Sequence, residues 1–266
     1  MRILKSIAVM FSTFTVIPMP QIKEWDEDST RFAIGFFPLA GLVIGAVLVG
    51  WAALTDAVLI ISDGLFAAVA AALPVLLTGG IHMDGFMDTV DAISSRQPRE
   101  RKLEILKDPN TGAFAVIYCV VYMFVTYGLF TNTWSFTDAG IIAIGYVLSR
   151  ALSALNAVTL PNARGTGGML ASFTVHAHKR AVIAICIVFS LAALYGMLYI
   201  DFLEGISVAA LALLVTLWYR RTVTKTFGGA TGDTSGFYLQ LIELAVLVGV
   251  TVGDILSWHS ASWPMQ

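Results

Sequence analysis

Seven stretches of the chain are apolar and long enough to cross a bilayer core of about 30 Å, a distance that a helix covers in about 20 residues. They fall at approximately 32–54, 64–81, 112–131, 139–160, 181–200, 205–219 and 236–257. The sixth is short for a full crossing, which predicts a tilted or partly embedded helix. A shorter apolar stretch, 1–17, carries Arg2 and Lys5 at its start and is followed by Pro18 and Pro20. No small-residue cleavage site follows it, so the pattern predicts a retained interfacial or re-entrant helix rather than a leader that is removed. The predicted fold class is therefore all-α: a polytopic integral membrane bundle of about seven transmembrane helices plus an N-terminal helix. No repeat or low-complexity linker interrupts it, so one membrane-embedded domain is expected over 1–266.

Charge orders these spans. The chain is 57% hydrophobic and 13% charged, against about a quarter charged in soluble domains. Of the 16 Lys and Arg, Arg2, Lys5, Lys23 and Arg31 precede the first span, and Arg96, Arg99, Arg101, Lys102 and Lys107 lie between the second and third. Arg164, Lys179 and Arg180 follow the fourth, and Arg220, Arg221 and Lys225 the sixth. The alternate loops, 55–63, 132–138 and 201–204, and the tail after Trp258 carry none. The positive-inside rule then puts the N-terminus in the cytoplasm and the C-terminus outside. The expected setting is a bacterial inner membrane, with the lipid bilayer as partner. A net charge of −2 gives no reason to expect nucleic-acid binding. A homo-oligomer is compatible with the pattern. Cys119 and Cys186 both lie in apolar runs and read as buried free thiols. Gly41 and Gly45 form a G-x-x-x-G in the first span, which reads as close helix packing.

Against this background one stretch stands out: Gly79-Gly80-Ile81-His82-Met83-Asp84-Gly85-Phe86-Met87-Asp88-Thr89-Val90-Asp91. Asp84, Asp88 and Asp91 fall at i, i+4 and i+7, on one face of a helix. Carboxylates near a bilayer are costly, and stacking like charges on one helix face is unfavourable. A hard divalent cation, which prefers oxygen ligands, accounts for them better than a solvated acidic face does. In the following loop Pro98 opens a short predicted helix, Arg99 to Lys107, with Glu104 and Asp108 four residues apart. The plain alternative for Glu104 is an ion pair with Arg101 or Lys107.

Other residues are suggestive only in combination. Gly228-Gly229-Ala230-Thr231-Gly232-Asp233-Thr234-Ser235-Gly236 suits phosphate binding through backbone amides, or a turn capped by Asp233 or Thr234. Arg164-Gly165-Thr166-Gly167-Gly168 is a second glycine-rich piece on the same side. Arg150, within a span, is either the partner of a buried carboxylate or an anion clamp. His82 points away from Asp84 and suits a hydrogen-bonding role. His176 and His178 fit no common zinc spacing. Aspartates, glycine loops and arginines on one face suit chemistry on a diphosphate or phosphodiester.

These residues resemble the cobalamin 5′-phosphate synthase family, also called adenosylcobinamide-GDP ribazoletransferase, over nearly the whole chain. Gly79 to Asp91 resembles the family's G-G-x-H-x-D-G-x-x-D-x-x-D, its most specific signature. Thr15 to Pro20 resembles T-R-x-P-x-P, with Val16 in place of arginine. Pro38-Leu39-Ala40-Gly41 with Gly45 resembles P-L-V-G-x-x-x-G, and Glu104 to Phe114 resembles E-I-M-K-D-x-x-x-G-A-x. Ser149-Arg150 and Gly228 to Gly236 also match; Ala92 and Phe237 depart from the usual glycine and alanine. The resemblance implies a transferase that moves the adenosylcobinamide phosphate moiety from adenosylcobinamide-GDP to α-ribazole or its 5′-phosphate. GMP leaves, and adenosylcobalamin or its 5′-phosphate forms, with Mg²⁺ as cofactor. On this reading Asp84, Asp88 and Asp91 hold the metal, and Asp108, Asp233 and Glu104 are the catalytic candidates, with Asp108 slightly favoured over Asp233 as base. Arg150, His82, Lys107, Gly228, Gly229, Thr231 and Gly232 bind substrate. A CDP-alcohol phosphotransferase lacks support because its D-x-x-D-G-x-x-A-R spacing is missing. A cation-coupled transporter more often shows midplane carboxylates and inverted repeats.

Overall fold

A computed structural model describes residues 2–20, 27–58, 61–132 and 135–262; Lys23 lies outside them. The order is α1 (Arg2–Phe14), α2 (Glu27–Thr30), a 3-10 turn (Ala33–Phe36), α3 (Phe37–Ala57), α4 (Asp63–Thr78), α5 (Ile81–Ser94) and α6 (Arg99–Ile105), then α7 (Ala113–Asn132), α8 (Phe136–Thr159), α9 (Met169–Thr174), α10 (Lys179–Ile200), α11 (Phe202–Phe227) and α12 (Gly232–Ser262). Among the described residues the only β-bridge is Asn162 with Ala230. Six helices, α7, α8, α10, α11, α12 and α3 with its 3-10 turn, are long and apolar enough to cross a membrane, and α4 with α5 forms a bent pair. The helices long and apolar enough to cross therefore number six, or seven if the bent pair, with its 16-residue α4, is one span.

The longest-buried helix is α8, which packs against α3, α10 and α12. The predicted G-x-x-x-G works here: a Cβ on Gly41 would strike the backbone of Tyr146, and one on Gly45 that of Ala143. In lipid such close backbone approach supplies the packing attraction that water would otherwise drive. Arg150 sits in the middle of α8, fully buried, with Nη1 bonded to the Glu243 carboxylate of α12 and to Ser149 Oγ at 2.9 Å.

Two expectations are corrected. The sixth span is not short: α11 runs 26 residues, because Arg220, Arg221 and Lys225 continue it instead of forming a loop. Long cationic side chains reach polar partners while their stems remain on the helix; Arg220 bonds Asn156 Oδ1 at 2.7 Å and Thr159 Oγ1 at 2.9 Å. The loop helix α6 stops at Ile105, so Glu104 and Asp108 do not share a helical face. The N-terminal helix α1 packs one face onto the bundle: Ser6 is buried, Val9, Met10 and Phe11 cluster with Ile34, Phe37 and Phe173, and Ile3 and Leu4 stay exposed.

Candidate active site

The aspartate motif forms a helix of its own. Gly79 and Gly80 both adopt left-handed backbone conformations, φ +63° and +80°, which end α4 and restart the chain as α5 at 93°. Residues other than glycine rarely tolerate such a pair. α5 consequently leaves the direction of the spans and lies across α12 and α7. Gly85 lets α5 meet the first turn of α12: a Cβ there would come within 2.8 Å of the Asp233 carbonyl oxygen. One helical turn away, Phe86 stacks on Phe237 with ring centroids 5.5 Å apart.

The two glycine-rich loops are joined to each other. Ala163 N–H donates to Ala230 O at 2.9 Å, and Ala230 N–H donates to Pro161 O at 2.8 Å. Gly228 ends α11 in a left-handed turn with the Arg99 guanidinium packed on it, and Gly229 lies against the Pro161 carbonyl. Thr231 is the cap of α12, where the sequence suggested Asp233 or Thr234. Its Oγ1 accepts from Thr234 N–H at 3.1 Å, and Thr234 Oγ1 accepts from Thr231 N–H at 2.8 Å. This reciprocal pair satisfies two donors at the helix start. It also leaves Asp233 free to pair with Arg164, whose Nη2 donates to Asp233 Oδ2 at 2.9 Å and to Leu106 O at 3.1 Å.

These elements enclose a cavity of about 140 Å³. Asp84, Asp233, Arg164, Ser153 and Ser235 give it a polar wall, with Gly232 beside them. Phe14, Phe37 and Phe173 face it from α1, α3 and α9. His82 also lines it, its ring 5.4 Å from Phe37 and 6.0 Å from Phe14. Asp88 lies half-buried one turn along α5 from Asp84. Burial, together with Asp84, Asp233 and Asp91, pushes its carboxyl up to about 7, opposed only by Arg164. Acidic oxygens with one opposing cation are the kind of ligand a hard divalent ion takes, but the row is spread along α5: no three of Asp84, Asp88, Asp91 and Asp233 bring ligand atoms within 4.8 Å of one another. Asp91 continues the row to the start of α7, where a Cβ on Gly112 would overlap its carboxylate.

Other expected residues are not brought to this cavity. Asp108 is exposed, and its Oδ1 accepts from Asn110 N–H at 2.9 Å and from Asn110 Nδ2 at 2.7 Å. Those hydrogen bonds hold its carboxyl below the usual range. Glu104 makes the plain ion pair with Arg101, 2.6 Å, on an exposed surface. Lys107 is exposed, while Arg150 is enclosed by α8 and α12. Sequence reasoning passed over Arg164 as a site residue, although it is the one cation in its glycine-rich loop. It also passed over Ser153 and the three phenylalanines, which carry no motif signal.

The chain matches the family described as Cobalamin-5-phosphate synthase over residues 6–251. It belongs to that family. Within it, the adenosylcobinamide-GDP ribazoletransferase of Lachnoclostridium phytofermentans is 39% identical over 99% of this chain and 100% of its own. The enzymes so named from Clostridium botulinum, strain Alaska E43, and Pseudomonas entomophila are 32% and 34% identical, each over 92% of this chain and at least 96% of their own length. No solved structure matches the chain. The aspartate helix α5 and the first turn of α12 thus meet at one cavity.

Proposed function

We propose that this chain transfers the adenosylcobinamide phosphate moiety from adenosylcobinamide-GDP to α-ribazole or α-ribazole 5′-phosphate, completing a cobalamin. The observation that carries this reading is the convergence of Asp84, Asp233 and Arg164 on one wall of a cavity whose other wall is aromatic. A diphosphate suits the first wall, and a nucleoside base suits the second. Asp84, Asp88 and Asp91 would hold Mg²⁺, which neutralises the diphosphate and the charge that builds on departing GMP. Arg164, fixed by Asp233 and Leu106 O, presents a guanidinium to the phosphate. A ribose hydroxyl oxygen bonds to the cobinamide-linked phosphorus as the phosphorus–oxygen bond to GMP breaks.

The hydroxyl proton passes to a carboxylate outside the metal's own ligands. Asp233 is the better candidate for that group, a choice supported by its place in the cavity lining, where Asp108 is absent. The test is GMP release by the purified chain from adenosylcobinamide-GDP, α-ribazole 5′-phosphate and Mg²⁺, followed against pH. Asp233→Asn removes the acidic limb of the pH–rate profile, and Asp108→Asn retains it. The reverse result assigns the base to Asp108, and no GMP release by the unmodified chain defeats the reading itself.

The segregation of basic residues supports a cytoplasmic cavity in a multi-pass bacterial inner-membrane protein. Cysteines placed at Ser62 and Thr137 will react with an impermeant maleimide from outside the cell, and one at Ser94 only after permeabilisation. The opposite pattern at any of the three requires a different number of crossings.

A further inference from the structure

A second group of carboxylates lies at the other end of the bundle. Asp138 is in the first turn of α8, Glu204 in the first turn of α11, and Asp254 about 33 Å along α12 from Gly232. One oxygen from each lies within 4.8 Å of the others, the only such trio of ligand groups among the described residues. Two oxygens bound to one ion at about 2.4 Å can be no more than about 4.8 Å apart, a limit that all three pairs meet. The helices are brought together by Gly253, where a Cβ would overlap Glu204.

The decisive atom is Glu204 Oε2. Glu204 is only 4% exposed; its carboxyl hydrogen-bonds the Asp254 carboxyl, and Oε2 itself has no partner among the described residues. A buried, unpaired carboxylate oxygen is strongly unfavourable. No protein cation is at hand, because the segments 55–63, 132–138 and 201–204 contain neither Lys nor Arg. Helix capping explains part of the arrangement: Asp138 Oδ2 accepts from Ser135 N–H at 3.3 Å, and Asp201 caps α11 by accepting from Glu204 N–H at 2.9 Å. The positive ends of α8 and α11 favour Asp138 and Glu204, but Asp254 is near the negative end of α12 and gains nothing. A cavity of about 550 Å³ bordered by Asp56, Asn132, Asp138 and Asp254 leaves room for the waters that complete a coordination shell.

We propose that Asp138, Glu204 and Asp254 bind one hard divalent cation, of the Ca²⁺ or Mg²⁺ class, which ties α8, α11 and α12 together at the end of the bundle away from the Asp84 cavity. The probe is Mn²⁺, followed by the loss of its free-ion electron paramagnetic resonance signal. It is added to the purified full chain carrying Asp84→Asn and Asp88→Asn, so that binding at the cavity is suppressed. That chain retains about one Mn²⁺, which Ca²⁺ or Mg²⁺ displaces. Adding Glu204→Gln weakens the binding at least about tenfold. Asp254→Asn is the second variant, used if Glu204→Gln does not give a monodisperse protein, and it has the same effect. Ca²⁺ also raises the melting temperature of the starting chain, and that rise is lost with either change. Absence of Mn²⁺ binding at neutral pH overturns the proposal, as does binding that neither change alters.

Discussion

Asp88→Asn lowers GMP release at least about 10³-fold, a loss of about 4 kcal/mol in transition-state stabilisation. The substitution keeps the shape of the side chain and removes one charge from the middle of the row. Asp84, Asp91 and Asp233 all act on that position, and Arg164 alone opposes them. Without a cation, removing Asp88's charge relieves repulsion, so thermal stability in metal-free buffer stays the same or rises. Unchanged or higher stability with lost turnover is the signature of a ligand position; a structural residue would lose both. Near-normal turnover by Asp88→Asn would remove the aspartate row from the metal assignment. Melting and rate measurements on the same preparation decide it.

Breaking the ion pair between Arg150 and Glu243 has the second large effect. Both side chains are buried within the bundle, with Arg150 0% exposed. Glu243→Ala leaves a charged guanidinium without its partner and costs about 3–5 kcal/mol of stability. Arg150→Met alone strands the carboxylate and costs a similar amount. Replacing both together, Arg150→Met with Glu243→Leu, recovers most of the loss, because two apolar side chains can fill the same space. GMP release follows stability in all three variants if the pair is structural. A stable double variant with no GMP release would instead restore Arg150 as a phosphate clamp. Thermal denaturation in detergent, paired with the turnover assay, separates the outcomes.

The sequence made most of the bundle legible because lipid imposes one demand: long apolar helices that satisfy their own backbone. The positions of α3, α7, α8, α10 and α12 follow from hydropathy within a few residues. α11 did not, since Arg220, Arg221 and Lys225 look like a loop until Asn156 and Thr159 are seen to receive Arg220. The aspartate row was legible from its spacing, but the bend that isolates it on α5 was hidden in the Gly79–Gly80 backbone. In sequence Asp108 is slightly favoured over Asp233, because it shares a short loop with the aspartate row; only folding shows that Asp108 faces Asn110 and Asp233 faces Arg164. The aromatic wall could not be read at all. Phe14, Phe37 and Phe173 are far apart along the chain, and their convergence depends on α1 packing into the bundle rather than on any local pattern.

The 93° turn between α4 and α5 sets the depth at which charge is held. On a helix continuing straight from α4, Asp84 and Asp91 would be separated by about 10 Å along the bilayer normal. One end of the row would sink towards the acyl chains or the other would rise into bulk water. Turned sideways, the helix that carries the three carboxylates runs nearly perpendicular to α4, so the row has little spread along α4's own direction. With α4 along the bilayer normal, a row laid crosswise in this way would keep its charges at one depth, where a straight continuation would string them out through the bilayer.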